Sequence, residues 1–218
     1  MVAFLAFLVL TTIFLPMVSL SQWGLSVLAL IFAVTIISGA FATIQHRSVK
    51  LIVIALTMLT LIVDVIAPSG KPTLSTTLKV VCLSILVIMT LKRTLRPGPV
   101  TVYRVVGGIV GYLLIGYTWA FAYQLMLEQR PAAFQFDASA IERSSRQTND
   151  LIYFSFITLT TVGYGDVHPV HPVVRSLAVA EALVGQLYLA ILIGSLVGMA
   201  LQARSEADES QGPTNRDR

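Results

Sequence analysis

Thr158-Leu159-Thr160-Thr161-Val162-Gly163-Tyr164-Gly165-Asp166 is the stretch in which a hydrophobic segment too short to cross a bilayer stops and becomes a glycine-containing strand. Its two glycines alternate with Val162 and Tyr164. Because glycine tolerates backbone angles that other residues avoid, successive carbonyl groups of this stretch can turn toward one line. A ring of such carbonyl groups can replace the water shell of a cation.

The composition indicates an integral membrane protein. Of the 218 residues, 56% are hydrophobic and 12% are charged, whereas about a quarter of the residues in a typical soluble domain are charged. The net charge of +4 comes from basic residues that cluster between hydrophobic runs, which points to membrane orientation and not to nucleic-acid binding. Cys82 is the only cysteine, so no disulfide can form within the chain, and we interpret it as a small buried residue.

Six long hydrophobic runs divide the chain, and each meets or approaches the roughly 20 residues that a transmembrane helix needs. A shorter helix is predicted at 151–160, with Thr148, Asn149 or Asp150 as its N-cap. Residues 128–150 are predicted to form a polar loop. The six long helices are predicted at residues 2–20, 25–44, 51–67, 73–91, 105–127 and 173–203.

The seven residues from Thr160 to Asp166 resemble the selectivity filter of potassium channels, in which four loops lend backbone carbonyls to the ion. The resemblance implies an all-α membrane protein of the bacterial six-helix type, with a re-entrant pore helix and the filter between helices five and six. It also implies a homotetramer in the lipid bilayer that conducts K+ passively and needs no cofactor. An ordinary glycine-rich turn is a weaker interpretation, because such a turn does not require threonines before it and an acid after it.

The resemblance assigns roles to individual residues near the filter. Tyr153 lies where channels of this family often carry an aromatic residue that hydrogen-bonds the acid after the filter, which is Asp166 here. Some relatives have a filter-bracing glutamate at the position of Ile157, so the bracing is expected to differ in this chain. The ion-binding residues would be Thr161, Val162, Gly163, Tyr164 and Gly165.

Four other residues are candidates for gating or sensing. Gly185 falls close to where many family members place a hinge glycine, although small residues in membrane helices also serve close packing. Glu181 is either a polar contact behind the filter or a residue of conduction or gating. His168 and His171 would lie at the outer mouth, either as plain loop residues or as sensors of pH or of transition metals.

The domain organisation implied is a four-helix peripheral bundle at 1–91, a cytoplasmic linker at 92–104, a pore domain at 105–203 and a disordered cytoplasmic tail at 204–218. With the N-terminus in the cytoplasm, the inner segments hold nine basic residues and the outer segments hold five. This bias agrees with the positive-inside rule. We therefore predict a multi-pass protein of the cell membrane with both termini in the cytoplasm.

Asp64 and Lys79 are charges inside hydrophobic runs, at similar predicted depth. A charge in the membrane is costly unless it has a partner, so we predict that the two residues form an ion pair. Lys79 is also the only charge from Thr73 to Leu91, where a voltage sensor would carry an arginine at every third position. Because steep gating needs several such charges per subunit, we expect weak or no voltage dependence.

The function that these features favour is a potassium-selective channel. The sequence contains no nucleotide-binding loop, catalytic triad or metal-ligand spacing, so we do not expect an enzyme. One alternative is a non-conducting or regulatory membrane subunit that modifies another channel. A second alternative is a subunit of a potassium-uptake transporter, but those proteins resemble four fused pore repeats with degraded filters, whereas this chain has one repeat with an intact filter.

Overall fold

The computed structural model describes residues 2–18, 24–44, 46–66, 72–96, 101–136 and 144–210. Parts of the predicted linker and loop, and the tail beyond residue 210, lie outside these ranges. Within them the chain forms seven helices and one two-stranded antiparallel sheet. In chain order these are α1 (Val2–Val18), α2 (Gly24–Thr43), α3 (Arg47–Ile66), α4 (Pro72–Thr94), α5 (Val102–Gln129), β1 (Phe134–Phe136), α6 (Ser144–Leu159), β2 (Val167–Pro169) and α7 (Pro172–Ser210).

Three helical segments in the described ranges are long and apolar enough to cross a membrane, namely Thr73–Thr94, Val102–Gln129 and Pro172–Leu201. The apolar segments Val2–Thr11 of α1 and Phe32–Thr43 of α2 are shorter. The prediction of a mainly helical protein is therefore confirmed, and its three long apolar helices are compatible with a membrane protein. The prediction of six crossings is not tested for the other helices and stays a prediction.

α5 is the central helix of the fold and packs against α1, α4, α6 and α7. In its most apolar stretch 56% of the residues are buried, compared with 6% in that of α7. On one side of α5, the ring of Phe32 packs edge-on against the rings of Tyr117 and Phe121, with centroids 5.8 and 4.4 Å apart. The long apolar helix α7 is therefore covered very little by its own chain.

The two largest differences from the predicted helix boundaries are at the start of α6 and at the end of α7. α6 begins at Ser144, so the predicted N-cap at Thr148, Asn149 or Asp150 is wrong. The hydrophobic run begins only at Leu151, and hydropathy cannot detect the polar turns that precede it. α7 continues to Ser210, so the predicted disorder is wrong for residues 204–210. Alanine, glutamate and arginine, which occur in this segment, favour helices, and extending an existing helix requires no new nucleus.

The sheet lies in a region that was predicted as loop. β1 pairs with β2 in antiparallel register, and Gln135 lies opposite His168. The amide of Val170 also donates a hydrogen bond to the carbonyl of Ala133 at 3.0 Å. The segment that follows the 160–166 stretch is thereby fixed to the segment that follows α5.

The predicted ion pair between α3 and α4 is confirmed. Lys79 Nζ lies 2.9 Å from Asp64 Oδ2, and the side chains are 16% and 22% exposed. The hydroxyl of Ser75 donates to the other carboxylate oxygen of Asp64. Both charges are therefore compensated at a largely buried position, where an unpaired charge would be costly.

We expect the single reversals Asp64→Lys and Lys79→Asp each to destabilise the protein by about 2 kcal/mol or more, because each places like charges together in a largely buried site. The double exchange should recover most of this loss. Thermal unfolding in detergent measures the effect, with Lys92→Asp at an exposed position as the matched control. A double exchange as unstable as the singles would show that the pair does not stabilise this contact.

Candidate functional site

The backbone of residues 161–165 alternates in handedness. Thr161, Gly163 and Gly165 have φ angles of 59°, 56° and 83°, whereas Val162 and Tyr164 lie outside the positive-φ region. Alternating right- and left-handed conformations turn successive amide N–H groups to one side of the chain, and their carbonyl groups to the other. Thr161 is the only described non-glycine residue with positive φ, and such strain is most common at functional sites.

Hydrogen bonds show that the amides of residues 161–163 face the C-terminal end of α6. The amides of Val162 and Gly163 both donate to the carbonyl of Ile157, at 2.8 and 3.2 Å. The amide of Thr161 donates to the carbonyl of Thr158 at 2.9 Å. Among the described residues, no backbone amide donates a hydrogen bond to the carbonyls of residues 161–165. The stretch therefore presents a row of unpaired carbonyl oxygens away from α6.

These unpaired carbonyls lie on the surface of the single chain. The five residues of the row are all exposed, and the exposed fractions of Val162 and Tyr164 reach 52% and 74%. One face of α7 is also apolar and exposed. Its members include Val179, Leu183, Leu187 and Ile191.

Tyr153 connects α6 to the C-terminal end of the stretch. Its hydroxyl lies against the Asp166 carboxylate, close enough for a side-chain hydrogen bond. Its ring stacks on that of Tyr164, with centroids 6.5 Å apart and an interplanar angle of 3°. The structure thus brings together the residues predicted to support the filter, and their effect on an ion remains a prediction.

Several supporting contacts were not found from the sequence. Gln186 Nε2 of α7 donates to Thr161 Oγ1 at 3.3 Å. The hydroxyl of Tyr112 on α5 donates to the carbonyl of Leu159 at 3.1 Å. A polar residue in an otherwise apolar helix is the signal that could have identified both.

Glu181 is fully buried where α5, α6 and α7 meet. The Tyr123 hydroxyl of α5 donates to Glu181 Oε2 at 2.6 Å. Glu181 Oε1 is within hydrogen-bonding distance of Ser155 Oγ on α6. Of the two interpretations left open by the sequence, this geometry favours a polar contact behind the 161–165 stretch.

Gly185 is a close-packing position. A Cβ atom at this residue would lie 2.2 Å from the carbonyl oxygen of Leu159, the last residue of α6. A backbone atom cannot yield as a side chain does, so α7 can approach α6 here only with glycine. The structure favours the packing interpretation of Gly185 over the hinge.

The two histidines have different surroundings. His168 is an exposed residue of β2. His171 Nδ1 accepts a hydrogen bond from the Val173 amide at 3.2 Å, and its Nε2 contacts the guanidinium group of Arg130. No group of three or more potential metal-binding side chains occurs among the residues that the structure describes. Sensing of pH or metal by either histidine remains a prediction.

One comparison with known protein families gives a match. Residues 111–202 match the ion channel family, and this region extends from the middle of α5 almost to the end of α7. No curated protein and no solved structure matches the chain. The match and the apolar helices together support an ion channel that lies in a membrane.

We expect Gly185→Ala to destabilise the protein by about 1–3 kcal/mol, because the added methyl group overpacks the contact between α7 and α6. Gly194→Ala is the matched control, since no described atom outside its own helix lies within 4 Å of a Cβ there. Thermal unfolding in detergent compares the two variants with the unmodified protein. Equal unfolding temperatures for Gly185→Ala and Gly194→Ala would contradict the packing role.

Proposed function

We propose that this protein is a potassium-selective channel that conducts K+ passively, with four copies of the chain around one pore axis. The observation that supports it most is the row of unpaired carbonyls at residues 161–165, held by amides bonded to the end of α6. An unpaired carbonyl away from water is costly. A dehydrated cation on the axis would satisfy it.

The ion ligands in this proposal are the backbone carbonyls of residues 161–164, with the Thr161 hydroxyl as an additional inner ligand. A five-residue extended segment spans on the order of 15 Å, which is room for several ions in single file. Repulsion between neighbouring ions would then offset their tight binding. The C-terminal end of α6 lies next to this row, and the negative end of its dipole favours a cation there.

A tetramer would account for the exposed surfaces of the single chain. Non-helical backbone is tolerated at membrane depth only where protein or a water-filled path surrounds it. One chain leaves the 161–165 stretch and the apolar face of α7 exposed. Three further copies would enclose the stretch, and lipid would cover the remaining apolar surface.

The same proposal places the protein in the cell membrane with both termini in the cytoplasm. The row of carbonyls would then open toward the outside at β2. Residues 105–203 would form the pore domain and the first four helices a peripheral bundle. Because Lys79 is paired with Asp64, the fourth helix lacks a free charge between Thr73 and Leu91 that could sense voltage.

Flux from liposomes tests the proposal. The purified protein should pass K+ in preference to Na+, and barium should block the flux. Gly163→Ala should reduce the preference for K+ about tenfold, because φ of +56° costs an L-residue roughly 1–2 kcal/mol. No described atom lies within 4 Å of a Cβ at this position, so the effect is one of backbone conformation.

Gly198→Ala is the matched control, since it adds the same methyl group to the helical backbone of α7 in an equally open position. It should leave the K+ preference unchanged. Equal flux of K+ and Na+ through the unmodified protein would rule out potassium selectivity. No flux from a verified tetramer would favour the regulatory-subunit alternative.

A further inference from the structure

The buried carboxyl group of Glu181 has no cationic partner among the residues that the structure describes. Its side chain is fully buried, and the only salt bridge among the described residues joins Asp64 to Lys79. The titratable groups that face it from α5 are the phenols of Tyr123 and Tyr112. An ionised carboxylate without a cation in an apolar site is costly, and such a group takes up a proton instead.

The hydrogen bonds around Ser155 indicate independently whether Glu181 carries a proton. Ser155 Oγ lies within hydrogen-bonding distance of both Glu181 Oε1 and the Gly116 carbonyl, the latter at 2.7 Å. A serine hydroxyl has one proton, and a backbone carbonyl can only accept. If Glu181 were ionised, this one proton would have to serve two acceptors.

A proton on Glu181 Oε1 satisfies every group in the cluster. The carboxyl group then donates to Ser155 Oγ, and Ser155 donates to the Gly116 carbonyl. Tyr123 donates to the other carboxyl oxygen. The resulting chain of three bonds connects α7 to α6 and α5.

We propose that Glu181 is protonated at neutral pH, and that its neutral carboxyl group is a positioning residue for the 161–165 stretch. Ser155 lies two residues before Ile157, whose carbonyl accepts hydrogen bonds from the amides of Val162 and Gly163. A displacement of Ser155 would therefore shift Ile157 and, through its hydrogen bonds, the row of carbonyls. The effect on ion selectivity rests on the proposed channel function, whereas the protonation state does not.

Infrared difference spectroscopy tests the proton directly. The spectrum of the unmodified protein minus that of Glu181→Gln, at neutral pH in detergent, should contain the carbonyl stretching band of a protonated carboxylic acid. Only carboxylate bands in this difference would overturn the proposal. The side-chain amide introduced by Glu181→Gln can donate to Ser155 and accept from Tyr123, so the variant should fold with an unchanged unfolding temperature.

Liposome flux tests the positioning role. Glu181→Gln should keep the preference for K+ over Na+ within about twofold, because the amide replaces both hydrogen bonds. Ser155→Ala breaks the chain of bonds and should lower the preference about tenfold, as expected for a lost buried hydrogen bond. Glu128→Gln, which changes a carboxyl group of α5 that bonds Thr76 and Gln124, should have no effect on it.

The outcomes separate the two proposals. A K+ preference unchanged in Ser155→Ala, or lowered as much in Glu181→Gln as in Ser155→Ala, would overturn the positioning role. A lack of K+ flux in the unmodified protein would count against the channel function, and the infrared band would still decide the protonation state. The unfolding temperature would then test the chain of hydrogen bonds on which the positioning role depends, since Ser155→Ala should lower it and Glu181→Gln should not. An unchanged unfolding temperature in Ser155→Ala would overturn the proposal.

Discussion

The carbonyl oxygen of Ile157 accepts hydrogen bonds from the amides of both Val162 and Gly163. The proposed ion path depends on these two bonds. They turn the N–H side of the 161–165 stretch toward α6 and leave the carbonyl side without backbone amide donors among the described residues. The alternation of positive and ordinary φ angles makes the turn possible. Only glycine adopts positive φ without a steric cost, and Thr161 adopts it at a cost that the surrounding contacts must offset.

The surrounding helices hold the end of α6 in place. α7 approaches the carbonyl of Leu159 at Gly185, and Tyr112 of α5 donates a hydrogen bond to the same carbonyl. Gln186 reaches the side chain of Thr161. After residue 166, β1 and β2 connect the end of the stretch to the end of α5. The strained 161–165 stretch is therefore supported from both of its ends.

Local patterns in the sequence were sufficient for some features and not for others. The turn of the carbonyls to one side could be predicted from the spacing of Gly163 and Gly165. The pair of Asp64 and Lys79 could be predicted because an unpaired charge in a membrane is costly. The pairing of Gln135 with His168 and the bond from Gln186 to Thr161 join distant parts of the chain, so no local pattern indicates them. The early start of α6 was missed because its first turns are polar and give no hydrophobic period.

The packing at Gly185 shows the same limit. A glycine in a membrane helix is compatible with a hinge or with a close contact, and only the position of Leu159 relative to α7 distinguishes the two. Glu181 was recognised as unusual because it is a carboxyl group in an apolar run. Its partners on α5 and α6 could not be named without the fold.

The most direct measurement is anomalous X-ray diffraction from crystals of the detergent-solubilised protein grown with Rb+ in place of K+. We expect four chains around one axis, with anomalous peaks on that axis level with the carbonyls of residues 161–164. Peaks elsewhere, or an assembly in which these carbonyls do not face a common axis, would contradict the account.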